Sequence, residues 1–158
     1  MTRPFSRAVF MFRFVASLAI LGLCVSGCSA ERGDETIGIV IEDAWTRPTP
    51  AGMPMGAAYF TIVNGTGEDD ALVGATTPAA ARVEVHESTL EDGMARMRPL
   101  AEIRVPAHGR VAVTPGGIHL MLVDLTQPLV AGTRVPLTLE FREAGRMTIQ
   151  LVVAARGG

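Results

Sequence analysis

From residue 37 onward, short runs rich in Val, Ile, Leu and Thr alternate with clusters of Gly, Pro, Asn and Asp. β-branched residues suit a pleated surface and the breakers suit turns, so this rhythm predicts strands. The candidate runs are 37–45, 57–64, 71–75, 82–88, 94–99, 110–114, 119–124, 134–141 and 146–153. About eight of them are expected to be true strands. No window repeats apolar residues at helical spacing over ten or more positions, which disfavours helical bundles and βαβ sheets. The expected architecture is all-β: a Greek-key sandwich forming one domain over 37–154, with a short tail at 155–158.

Ahead of the domain the pattern changes. Residues 1–13 are basic, Phe14 to Val25 are uncharged and mostly apolar, and Val25-Ser26-Gly27-Cys28 closes the segment with small residues before a cysteine. Twelve apolar residues make a helix of roughly 18 Å, too short for a hydrocarbon core of about 30 Å. The segment reads as an export signal over 1–27. Val-Ser-Gly-Cys resembles a lipobox, which makes Cys28 the acylated first residue of the mature chain. Cleavage by an ordinary signal peptidase near Ala30 is the alternative. Residues 28–36 then form a lipidated polar tether, and the protein is expected outside the cytoplasm, held at a membrane face.

Removing the signal changes the composition. Eleven arginines remain against sixteen acidic residues, a net charge of −5 with neutral histidines, which makes nucleic acid an unsuitable partner. Cys24 leaves with the signal and Cys28 carries lipid, so no thiol remains for a disulfide, a metal thiolate or a nucleophile. Phosphate-cradling glycine loops, Gly-x-Ser-x-Gly elbows and His-Glu-x-x-His pairs do not occur, and an enzyme is not expected.

The candidate chemistry lies in histidine and methionine. Strand alternation puts Val83 and Val85 on one face and Glu84 and His86 on the other. The same rule sends Ile118, Leu120 and Leu122 inward and projects His119 with Met121. Met97 stands between Arg96 and Arg98, where a core methionine is poorly placed. Taken singly, each histidine reads better as a strand histidine satisfied by a carboxylate, and each methionine as core filling. Jointly they read His86-x10-Met97-x21-His119-x-Met121. Random placement would give that match about once in ten thousand.

This spacing resembles that of the PCuAC-type periplasmic copper chaperones, H-(M)-x10-M-x21-H-x-M. Further landmarks are Asp43-Ala44-Trp45, Gly56-Ala57-Ala58-Tyr59-Phe60, Met97-Arg98-Pro99 and the stretch from Pro115 to Met121. The resemblance implies that the all-β Greek-key sandwich is cupredoxin-like and that one Cu(I) is held by His86, Met97, His119 and Met121. It also implies a monomer that passes copper to an acceptor, either a cytochrome c oxidase subunit or a Sco-type protein. Two departures stand out. Ser88 occupies a place where many members carry methionine, and the His- and Met-rich C-terminal extension of some relatives is missing, which puts a Cu(II) site in doubt. The alternative reading is a copper-buffering or resistance lipoprotein without a dedicated acceptor.

The donor set suits that cargo. Thioether sulfur is soft and neutral and favours Cu(I) over Zn, Mg or Ca, while blue-copper electron transfer would need a thiolate. Imidazoles in general titrate near pH 6.5, so affinity is expected to fall below about pH 6. Met94 falls on the opposite strand face from Met97 and reads as structural. Met53 and Met55 read as a plain loop rather than a transient thioether, and His108 as an exposed turn residue. Trp45 and Tyr59 are expected in the core, with Trp45 a candidate to line the site. Glu84 or Glu87 could orient His86.

Overall fold

The computed structural model describes residues 38–91 and 93–155. The signal, Cys28, the tether, Ile37 and the last three residues lie outside the described residues. Ten strands follow one another: β1 (Ile39–Thr46), β2 (Met55–Asn64), β3 (Asp70–Thr76), β4 (Ala80–Glu91), β5 (Met94–Pro99), β6 (Ile103–Val105), β7 (Arg110–Val113), β8 (Ile118–Leu125), β9 (Arg134–Phe141) and β10 (Gly145–Val153). All nine expected runs form strands, so the expectation of about eight was low. The addition is β6, whose three residues are too few to show a period and which exists by pairing with β3.

Strand order runs β5-β4-β8-β2-β1-β10-β9-β3-β6, with β7 on β2. Neighbours such as β4 and β8, β8 and β2, or β9 and β3 are distant in sequence, which is the Greek-key signature. One long strand links the layers: Met55–Ala58 of β2 pairs with β8, and Phe60–Val63 pairs with β7. Strands that serve two neighbours in this way make the corners of folded-over sheets.

Alternation sets the core. β9 buries Val135, Leu137, Leu139 and Phe141 in strict period two, facing a single cluster that includes Leu120 and Leu122 of β8 and Ala58, Phe60 and Ile62 of β2. Away from this core, β5 is exposed along its whole length. Its arginines guard the free edge: Arg98 pairs with Glu87 and Arg96 with Glu91.

A buried carboxylate fastens the other end. Asp70 accepts backbone N–H bonds from Ala71 at 2.6 Å and from Glu143 and Ala144 at 3.0 Å each, tying β3 to the turn between β9 and β10. Burial pushes its pKa up, but the backbone N–H groups outweigh that and hold it below the ordinary value. Nothing in the local sequence announces this role.

Candidate metal centre

β4 and β8 run antiparallel with His86 directly opposite His119. Opposed residues share a face, so Glu84, His86 and Ser88 of β4 stand with Met121 and His119 of β8. Ser88 in turn opposes Met97 of β5. The four expected ligands therefore share one face of the sheet, opposite to Leu120 and Leu122. His86 is the hub: it faces His119 directly and is diagonal to both Met121 and Met97. Diagonal neighbours lie about 7–8 Å apart at Cα, within reach of long side chains. Met97 lies one row toward the hairpin end and Met121 one row the other way.

The imidazoles sit edge to face, ring centroids 6.2 Å apart with an 88° interplanar angle. With metal–nitrogen bonds of about 2.0 Å, two imidazoles on one ion keep their centroids within about 6.3 Å. At 6.2 Å the pair lies just inside that limit, so one ion bridging the rings as they stand would need a wide nitrogen–metal–nitrogen angle. About 1 Å of closure would reach a tetrahedral angle.

Each ring has one nitrogen engaged and one available. The turn Pro115-Gly116-Gly117 between β7 and β8 needs the left-handed backbone of Gly116, φ 81°. It aims the Gly117 carbonyl back at the strand, where it lies 3.0 Å from His119 Nδ1 and also accepts the Ser88 N–H. A carbonyl only accepts, so Nδ1 carries the proton and Nε2 keeps its lone pair. In His86, Nε2 lies 3.3 Å from Glu84 Oε2, which favours the proton on that nitrogen, and Nδ1 is buried with no partner. Orphaned buried ring nitrogens are uncommon, and a water or an ion is the usual partner of one. Arg82 holds Glu84 at 2.8 Å and Asp124 at 2.6 Å, so the carboxylate beside His86 is itself anchored. Glu87 does not share this task, since it points to the other face and binds Arg98.

His119 is buried, Met121 half-buried, and Met97 56% exposed. The centre is thus shut at one end and open at the other. Among the described residues, no three His, Cys, Asp or Glu side chains gather as a metal cage. Trp45 and Tyr59 are buried, as expected. They oppose each other across β1 and β2 with their rings 4.7 Å apart, beside the central cluster rather than within it. Tyr59 lies between Ala58 and Phe60, both core residues, and so projects from the site face. Continuing the β2–β8 register one residue sets it beside His119. His108 is an exposed turn residue with φ 52°, as expected.

The LpqE-like lipoprotein family matches this sequence over residues 39–153. The chain belongs to that family. The Leifsonia xyli subsp. xyli (strain CTCB07) protein Lxx21020, named as a lipoprotein, is 30% identical over 146 residues, covering 87% of this chain and 86% of its own. The fold of this chain is that of PCuAC domains. The copper-bound PCuAC domain from PmoF2 superposes with a TM-score of 0.65 at 30% identity, covering 75% of this chain and 93% of that domain. The Cu(I) form of DR1885 from Deinococcus radiodurans gives 0.60 at 30% identity, covering 75% and 78% respectively.

Proposed function

We propose that this LpqE-like protein is an extracytoplasmic, lipid-anchored copper chaperone. It binds one Cu(I) through His86, Met97, His119 and Met121 and delivers it to a partner. The observation that carries the reading is the buried, unpartnered Nδ1 of His86 opposite a His119 whose other nitrogen is already tied to Gly117. Two imidazole lone pairs alone suit several transition metals, and the thioethers of Met97 and Met121 on the same face are what favour soft Cu(I). The PmoF2 and DR1885 relatives, solved with copper, support the same cargo.

Handover follows from the exposure gradient. Met97, on the free edge strand, is the ligand an incoming acceptor reaches first. Its thioether is displaced before the buried His119 need move, so the ion passes by stepwise exchange without being released to water. The cytochrome c oxidase copper sites are the proposed destination, reached directly or through a Sco-type protein, with Cys28 keeping the domain near that membrane.

Anaerobic titration against a Cu(I)-specific chelator tests the site. One equivalent bound by the native protein, and affinity at least about tenfold weaker in Met97→Ala and His119→Ala, is the expected result. Equal affinity in all three proteins rejects the ligand set.

A further inference from the structure

Met55 opens β2 directly opposite Val123, two residues before Ala57, which opposes Met121. Met55 therefore shares the face of the proposed centre and is the diagonal neighbour of Met121, on the side away from His86. It is 47% exposed, and Met53, in the loop before it, is 46% exposed. The segment is held in place rather than loose. Leu125 N–H donates to the Pro54 carbonyl at 2.9 Å, and Thr49 is bonded to Leu129 through both its N–H and its hydroxyl oxygen. At Gly56 a Cβ would lie 3.2 Å from Leu129 Cδ1, so the start of β2 is pressed onto the core and Met55 is committed to the opposite face.

Scattered exposed methionines need no explanation. Met55 differs because it extends a row of sulfur that already contains Met121, and Met53 is two residues before it in the chain. We propose that Met55, assisted by Met53, forms with Met121 a second, weaker Cu(I) station at the edge of the centre, through which the ion enters or leaves the histidine pair. Met121 is shared between the two stations, so an ion can shift from thioether pair to imidazole pair by exchanging one donor at a time. This gives the centre a port at its β2 end, distinct from Met97 at the β5 end. The inference rests on the copper reading above.

The test uses the Met53→Leu/Met55→Leu double variant of the full-length protein, with Met94→Leu as control. Met94 is similarly exposed, at 59%, but lies on the opposite face of β5 from Met97. Leucine replaces methionine at nearly constant volume, so folding is preserved. Chelator competition measures affinity for the first Cu(I), stopped-flow transfer to bathocuproine disulfonate measures release, and 13C-methyl spectra follow each methionine as Cu(I) passes one equivalent. The expected result is first-ion affinity within about threefold of native, release slowed at least about fivefold in the double variant only, and methyl shifts at Met55 and Met53 beyond one equivalent. Native release rates in the double variant, or unmoved Met55 and Met53 methyls, overturn the second station alone. Native protein that binds no Cu(I) overturns the parent reading and this one together.

Discussion

His86→Phe separates stability from function. In the native apo protein Nδ1 of His86 is buried without a partner, a state that costs about 1–3 kcal/mol. Phenylalanine keeps a ring at that position and removes the orphan. It also removes the Nε2 contact with the partly exposed Glu84, worth about 0–1 kcal/mol. The balance is a gain of about 1 kcal/mol, which in a domain of this size raises Tm by about 3–6 °C. Ligand saturation works the other way: Cu(I) at a hundred times its Kd stabilises the native protein by about 2.7 kcal/mol, and the variant should lose most of that. Anaerobic differential scanning calorimetry without copper and with free Cu(I) buffered at a hundred times the native Kd measures both. A crossing is expected, with the variant melting above native protein in the apo state and below it with copper. Apo destabilisation by more than about 1 kcal/mol would show that the nitrogen has a structural partner, and the argument from the orphan would fail.

Other expectations follow from the same contacts. Glu84→Gln leaves a polar group beside His86 but removes the charge that favours its Nε2 proton, and chelator competition should show Cu(I) affinity lower by about tenfold. Asp70→Ala strands three backbone N–H groups and should cost about 2–3 kcal/mol in urea unfolding. Because the folded pKa of Asp70 lies below its unfolded value, this stabilisation is complete above about pH 5 and is lost as pH falls through the folded pKa. The native and Asp70→Ala unfolding curves should therefore converge in acid, and a constant gap down to the lowest pH would refute the assignment. Cys28→Ala should move the protein from the membrane fraction to the soluble extracytoplasmic fraction. Unchanged partitioning in that variant would favour ordinary signal cleavage.

Most of the strand map was legible because one buried face gives alternation, as in the run from Arg134 to Phe141. Ile103–Val105 carries no such period, and its pairing with β3 is a tertiary fact. Ends drifted where pairing outlasts pattern: β4 extends to Glu91 because β5 continues the hairpin, although Leu90 is exposed. The four-residue spacing located the candidate donors. It left open which nitrogen of each histidine is available, since that depends on a backbone carbonyl in a glycine turn and on one carboxylate of two. Trp45 and Tyr59 were legible as buried aromatics, but the face they occupy was not: in a strand the register decides that, and it sets Tyr59 on the face of His119 with Trp45 opposite it.

That register is what connects fold to site. A slip of one residue between β4 and β8 would turn His86 and His119 away from each other and bring Val85 or Leu120 to the outer face. Val83 and Val85 pack against the cluster that contains Leu120 and Leu122, both fully buried, so a slip exposes apolar surface worth about 1.5–3 kcal/mol per side chain. The aliphatic face of these two strands therefore enforces the opposition of the imidazoles on the other. A polar substitution at Leu120 or Leu122, remote from any donor atom, should degrade metal binding in proportion to lost folding, whereas Met97, on an exposed edge strand outside that packing, is free to exchange.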